Sequence, residues 1–219
     1  MAPNLKGLIG KLNDTSRNAL EAGAGFCLSR THYDIEIEHF LMKLLEVTDS
    51  DLQHILKHFA VNKSHLASHL TASLDKLKTG NARTPVFSPS LVQMLSEAWT
   101  IGSLDFGAAQ VRSGFCILAI AASPDLARLM REVTREFQKI SEETLRKNFW
   151  AIVAGSHEDQ VGAQGAGGFG LEVRRRELRK TGRSLLQNHL RRYRVLLTTT
   201  NGGRSTGQGG CELFRDPEG

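Results

Sequence analysis

An all-α fold, two tandem four-helix repeats with pseudo-twofold symmetry followed by a tail of different composition, is what this 219-residue sequence predicts. Three observations carry that expectation. Apolar residues recur at three- and four-residue spacing through most of the first 150 positions, the period of one helix face. A shift of 74 or 75 residues lays Leu12 near Phe87, Leu20 on Leu95, Ile37 on Val111 and Leu41 on Phe115, the mark of an internal duplication. Composition then breaks near Ala151. Residues 151–219 hold 13 of the 21 glycines and 11 Lys+Arg against 7 Asp+Glu, whereas residues 1–150 are balanced at 17 against 16.

The elements follow in order. Leu5, Leu8, Ile9 and Leu12 recur at helical spacing beside polar Lys6 and Lys11. Asn13-Asp14-Thr15 offers capping oxygens ahead of a face of Leu20, Ala24, Cys27 and Leu28. A turn at residues 31–34 leads into a helix whose Phe40, Leu41, Leu44 and Leu45 form a wide buried stripe. Ser50 or Asp51 caps a helix bearing Leu52, Ile55, Leu56 and Phe59, and Asn62 caps one bearing Leu66, Leu70 and Leu74. Gly80 to Pro85 breaks the pattern. Then the same grammar returns: Ser88 as cap with Pro89 at the first helical position, Leu91, Met94, Leu95 and Ala98, a turn at Phe106-Gly107, and Phe115, Leu118 and Ala119. Helices opened by Ser123-Pro124 and Ser141-Glu142 complete the second unit.

The expected organisation is a domain over residues 1–150, with repeat one at about 4–80 and repeat two at about 86–150. A Gly/Ala-rich linker is expected at 151–170. A basic low-complexity tail is expected at 171–219, either truncated or read out of frame. No stretch approaches 18 apolar residues, and Met1–Lys11 lacks the apolar run of a secretory signal. Cys27, Cys116 and Cys211 lie far apart, without disulfide or zinc spacing, which suits a reducing cytoplasm.

Little here supports catalysis. Gly202-Gly203-Arg204-Ser205-Thr206-Gly207 lacks the Gly-Lys pair whose amides and ammonium cradle phosphates, so no nucleotide or other cofactor is expected. His54/His58 and His65/His69 share helix faces four apart but lack an accompanying acid, and read as surface histidines rather than metal ligands. Cys27 and Cys116 read as small core residues. Arg174-Arg175-Arg176 and Arg191-Arg192-Tyr193-Arg194 could meet a phosphate backbone, although a solvated tail is the preferred reading.

Two tandem helical units with Ile35-Glu36-Ile37-Glu38-His39-Phe40-Leu41-Met42-Lys43-Leu44-Leu45-Glu46 in the first resemble the N-terminal repeat domain of the Clp/Hsp100 unfoldases. The segment Leu5 to Leu12 followed by Asn13-Asp14 is more similar to the ClpV type, the type VI secretion ATPase, than to the ClpB disaggregases. The resemblance covers about residues 4–150. In the second unit Arg112-Ser113-Gly114 is set against Glu38-His39-Phe40, a departure from the signature.

That resemblance implies substrate or adaptor recognition for an ATP-driven remodeller, through a groove that takes an amphipathic helix of a contracted secretion sheath. Ile37, Glu38, His39, Phe40 and Leu41 are expected to be structural. Leu8, Ile9, Leu12, Phe87 and Leu91 are the expected groove. Family hexamers depend mainly on the ATPase modules, which this sequence lacks. Two alternatives stand beside this reading. One is a ClpB-like domain that binds unfolded protein, and the other is a small basic nucleic-acid-binding protein.

Overall fold

A computed structural model of the chain describes residues 5–159. Nine α-helices occur among them: α1 Leu5–Lys11, α2 Asp14–Ser29, α3 Ile37–Glu46, α4 Asp51–His58, α5 Lys63–Leu74, α6 Pro89–Leu104, α7 Ser113–Ala122, α8 Pro124–Val133 and α9 Glu142–Ile152. Two-residue strands β1 (Asp34–Ile35) and β2 (Val86–Phe87) and a 3-10 turn at Arg135–Lys139 complete the set. The expected fold class holds, with α2–α5 and α6–α9 as the two four-helix repeats and α1 added in front. No single described helix is long and apolar enough to cross a membrane.

Helix starts follow local chemistry. Asn13, Asn62, Ser88 and Ser141 each accept a main-chain N–H three residues on, satisfying a donor the helix leaves unpaired. The two long helices α2 and α6 begin alike. Asn13 caps through Ser16 N–H and Ser88 through Leu91 N–H, each pair 75 residues apart.

The repeats are joined by exchange. Residue Leu12, just before α2, bridges in parallel to Val111 before α7, while β1 of repeat one pairs in parallel with β2 of repeat two. Asn13 N–H donates to Val111 O at 3.0 Å, and the equivalent Ser88 N–H donates to Ile35 O at 3.2 Å. Each repeat thus supplies one strand to the other.

This pairing corrects the register of the duplication. The offset of 75 holds at α2 and α6, but α3 and α7 are both ten-residue helices whose starts are 76 apart. Ile37 therefore matches Ser113, Leu41 matches Ile117, and Arg112 matches Glu36 as the cap, not Glu38. One extra residue lies in the loop before α7, where no helical period reveals it.

Helices α3 and α7 form the centre. In α7 every residue from Ser113 to Ile120 is buried. Phe115 stacks on Phe149 at 4.7 Å between ring centres, with Phe106 beside both. Leu28, expected on the inner face of α2, is 55% exposed, because α2 ends one residue later and its last turn faces solvent.

The expected linker boundary at Ala151 falls inside α9. Val153, Ser156 and Glu158 are buried, so the packed domain reaches at least Asp159. The remainder of the 151–170 segment and the 171–219 tail lie outside the described residues.

Candidate functional site

Helix α1 packs on α6. Leu8 and Ile9 on it are half-buried, with Ile9 packed against the core, and Lys11 lies 4.8 Å over the half-buried Trp99 ring of α6. Phe87, two residues before α6, is half-buried as well, and its neighbour Val86 is 62% exposed. Of the five expected groove residues, Leu8, Ile9 and Phe87 therefore reach the surface. Leu12 and Leu91 do not. They are 1% and 0% exposed, because the first sits in the inter-repeat bridge and the second on the inner face of α6's first turn.

All five signature residues are buried. Ile37, Phe40 and Leu41 are core. Glu38 accepts the Ser73 hydroxyl at 3.0 Å, and burial pushes its carboxyl above the ordinary value. His39 holds the start of α3: its Nδ1 accepts Glu36 N–H at 3.0 Å, a histidine in the place where a capping box has Glu or Gln. Its ring also meets His32 at 2.8 Å. Burial first, then the neighbouring His32 and Arg30, depress its pKa to about 4, so it is neutral at pH 7. Gly23 lets α2 approach this point, since a Cβ there would lie 3.2 Å from the His39 carbonyl.

A depression of about 570 Å³ opens beside this pair, lined by His32, Tyr33, Asp34, Glu36, Leu77 and Lys78. Its lining mixes acids, one lysine and apolar side chains, without a nucleophile–base pair. Cys27 is buried, its Sγ 3.3 Å from Asp34 O, and burial raises its thiol to about 11. Burial raises Cys116 as well. Neither is a thiolate near neutrality.

The histidine pairs find separate partners. His54 Nε2 lies 2.8 Å from Asp49, and His69 Nδ1 lies 2.9 Å from the Thr134 hydroxyl. Among the described residues no group of three or more His, Cys, Asp or Glu could hold a metal ion. The arginine clusters at 174–176 and 191–194 lie outside the described residues.

Sequence reasoning missed a buried polar cluster between the repeats. Arg112 grips Asp51 with Nε and a terminal nitrogen, both at 2.8 Å, and reaches Asp159 at 2.6 Å. Ser156 donates to Asp51 at 2.5 Å. Glu158 accepts from Asn13, from the main chain of Asp51 and Ser113, and from the Ser113 hydroxyl. The carboxylates hold the Arg112 guanidinium charged despite its burial, whereas burial and nearby Asp51 push Glu158 upward. The one legible signal was Arg112 itself, a lone cation just ahead of a helix that is apolar after Ser113.

Comparison with known proteins places this geometry. The chain is 33% identical over 156 residues to the AAA+ ATPase ClpV1 of Pseudomonas aeruginosa, matching 71% of this chain and 17% of that protein. It is 31% identical over 163 residues to the chaperone protein ClpB of Yersinia enterocolitica, across 74% of this chain and 18% of that protein. The match thus spans less than a fifth of the length of these curated relatives. Among solved structures, a ClpV N-domain in complex with a VipB peptide aligns with a TM-score of 0.62 at 31% identity, covering 72% of this chain and 96% of that one. The pattern of the Clp repeat (R) N-terminal domain matches residues 11–133, more than half of the sequence. The two strand-exchanged helical repeats thus have a family: the chain belongs to the Clp repeat N-terminal domains.

Proposed function

We propose that this chain is the substrate- or adaptor-recognition domain of a Clp-type ATP-dependent remodeller, and that it takes an amphipathic helix of a secretion-sheath subunit. The observation that carries this reading is the likeness, across 72% of this chain and 96% of the other, to a ClpV N-domain solved with a VipB peptide. Leu8, Ile9 and Phe87 then supply the apolar contact, while Leu12 and Leu91 lie beneath it and fix its shape. Recognition of this kind needs shape and apolar surface, not catalytic groups. Without a phosphate-binding loop, the chain leaves ATP hydrolysis and hexamer formation to modules joined to it, and its place of work is the cytoplasm.

The test is a titration of the full chain with an amphipathic peptide from the N-terminus of the sheath subunit, beside a scrambled control. Saturable binding to the first alone, weakened at least tenfold by Leu8→Asp in a cooperatively folded domain, is the expected result. Intact binding by that variant would remove the groove from α1.

A second reading is a ClpB-like domain holding unfolded protein loosely, favoured by the 31% identity to ClpB. Equal, weak binding to both peptides would select it. Salt-dependent DNA binding lost on deleting residues 171–219 would instead select the nucleic-acid alternative.

A further inference from the structure

Beyond α9 the chain makes one more turn, and its contacts have an unusual character. Among the described residues, Val153 is the last apolar side chain buried in it. Ala154, Gly155 and His157 are exposed, and only Ser156 and Glu158 turn inward. Gly155, at φ +81°, makes the bend, a conformation glycine adopts without strain. From Ala154 to Asp159 the segment is therefore held by polar groups.

Those groups converge on the seam between the repeats. Glu158 stands at the starts of three helices. It accepts from Asn13 Nδ2 at 2.7 Å, on the α2 cap itself; from Asp51 N–H at 2.9 Å, on the first residue of α4; and from Ser113 N–H at 2.9 Å, on the first residue of α7. First-turn amides have no partner within their own helix, and the positive end of each helix favours a carboxylate there. The amides of Asp51 and Ser113 have no other acceptor among the described residues. Asn13 and Asp51 belong to repeat one and Ser113 to repeat two, so one carboxylate spans the seam. Ser156 and Asp159 add bonds to Asp51 and Arg112, and His157 N–H donates to Asp49 O at 2.8 Å.

We infer that residues 154–159 form a latch, in which the Glu158 carboxylate, inserted among the starts of α2, α4 and α7, fastens one repeat to the other and opens as a unit without unfolding the helical core. An apolar anchor would make the segment part of the core. A polar insert on a glycine bend instead leaves the core's apolar contacts intact when it withdraws, and the exposed donors then meet water. The inference does not depend on which partner the domain binds.

Hydrogen exchange of the full chain across a denaturant series tests it. The amides of His157, Asp51 and Ser113 are expected to exchange through one common opening, at least tenfold more frequent than the opening that exposes Leu41 in α3. Glu158→Gln, which keeps the shape but removes the charge, is expected to speed those three amides about tenfold more and to leave Leu41 unchanged. Exchange of the three only together with Leu41 in the unaltered chain would overturn the latch. So would independent opening of the three, or a Glu158→Gln variant that fails to fold or exchanges like the original.

Discussion

His39 donates its Nε2 proton to Nδ1 of His32 across 2.8 Å. The tautomer follows from the other side of the ring, where Nδ1 accepts Glu36 N–H and so carries no proton. Both imidazoles are thus neutral, and the signature histidine is a helix-start fastener.

Acid should loosen the domain through this residue. A histidine held at about 4 in the folded state takes up a proton on unfolding at any pH between that value and its ordinary 6.5. Stability therefore falls as pH drops from about 6.5 to about 4, and this contribution is flat below. Urea midpoints at pH 7 and pH 4.5 measure the fall. His39→Gln keeps an acceptor for Glu36 N–H and should flatten the pH dependence, at a cost of about 1–3 kcal/mol at pH 7 from lost packing. An undiminished slope in that variant would place the acid sensitivity elsewhere.

Arg112 is expected to be the most costly of the described cations to replace. Arg112→Leu leaves the fully buried Asp51 carboxylate without its cation, a loss of about 3–5 kcal/mol by denaturant melt. Arg112→Lys keeps the charge but not the two-pronged grip, and should fall between. Equal stability of the lysine variant and the parent would show that geometry contributes nothing.

Glycine substitutions should change sign with position. A Cβ on Gly114 would sit 2.8 Å from Phe149 Cζ and 3.0 Å from an Asp51 oxygen, so Gly114→Ala should destabilise by about 1–3 kcal/mol. Gly25, inside α2, has open space around its Cβ position, and Gly25→Ala should stabilise by about 0.5–1 kcal/mol. Two thermal melts decide both.

Cysteine alkylation offers a simple probe of opening. Cys27 and Cys116 should resist iodoacetamide at pH 8 in the folded domain and react on unfolding, since burial holds both thiols protonated. Rapid labelling of either under native conditions, followed by mass spectrometry of its peptide, would contradict this.

The helices were legible because their signals are local. Asn13, Asn62 and Ser88 announce helix starts by chemistry that acts over three residues, and Leu66, Leu70 and Leu74 show their face by period alone. Contacts between distant residues leave no such trace. Arg112 and Asp51 are 61 positions apart, and two-residue strands are too short to alternate. Leu12 carried the same apolar stripe as Leu8 and Ile9, and Leu91 that of Met94 and Leu95, and a stripe does not say which side is covered. The stretch 151–159 read as linker because its inward side chains, Ile152, Val153, Ser156 and Glu158, are few and carry no helical period among glycine, alanine and exposed polar residues.

The crossed pairing of Leu12 with Val111 and of Ile35 with Phe87 has a consequence for symmetry. Two copies of one repeat placed about a twofold axis would make these same two contacts, each copy lending its strand to the other. The chain thus has the crossed pairing of a self-complementary dimer held within one polypeptide. Within one polypeptide the two halves need not match. One half places the histidine that fastens α3 near its helix start, and the other places an arginine at the matching boundary before α7.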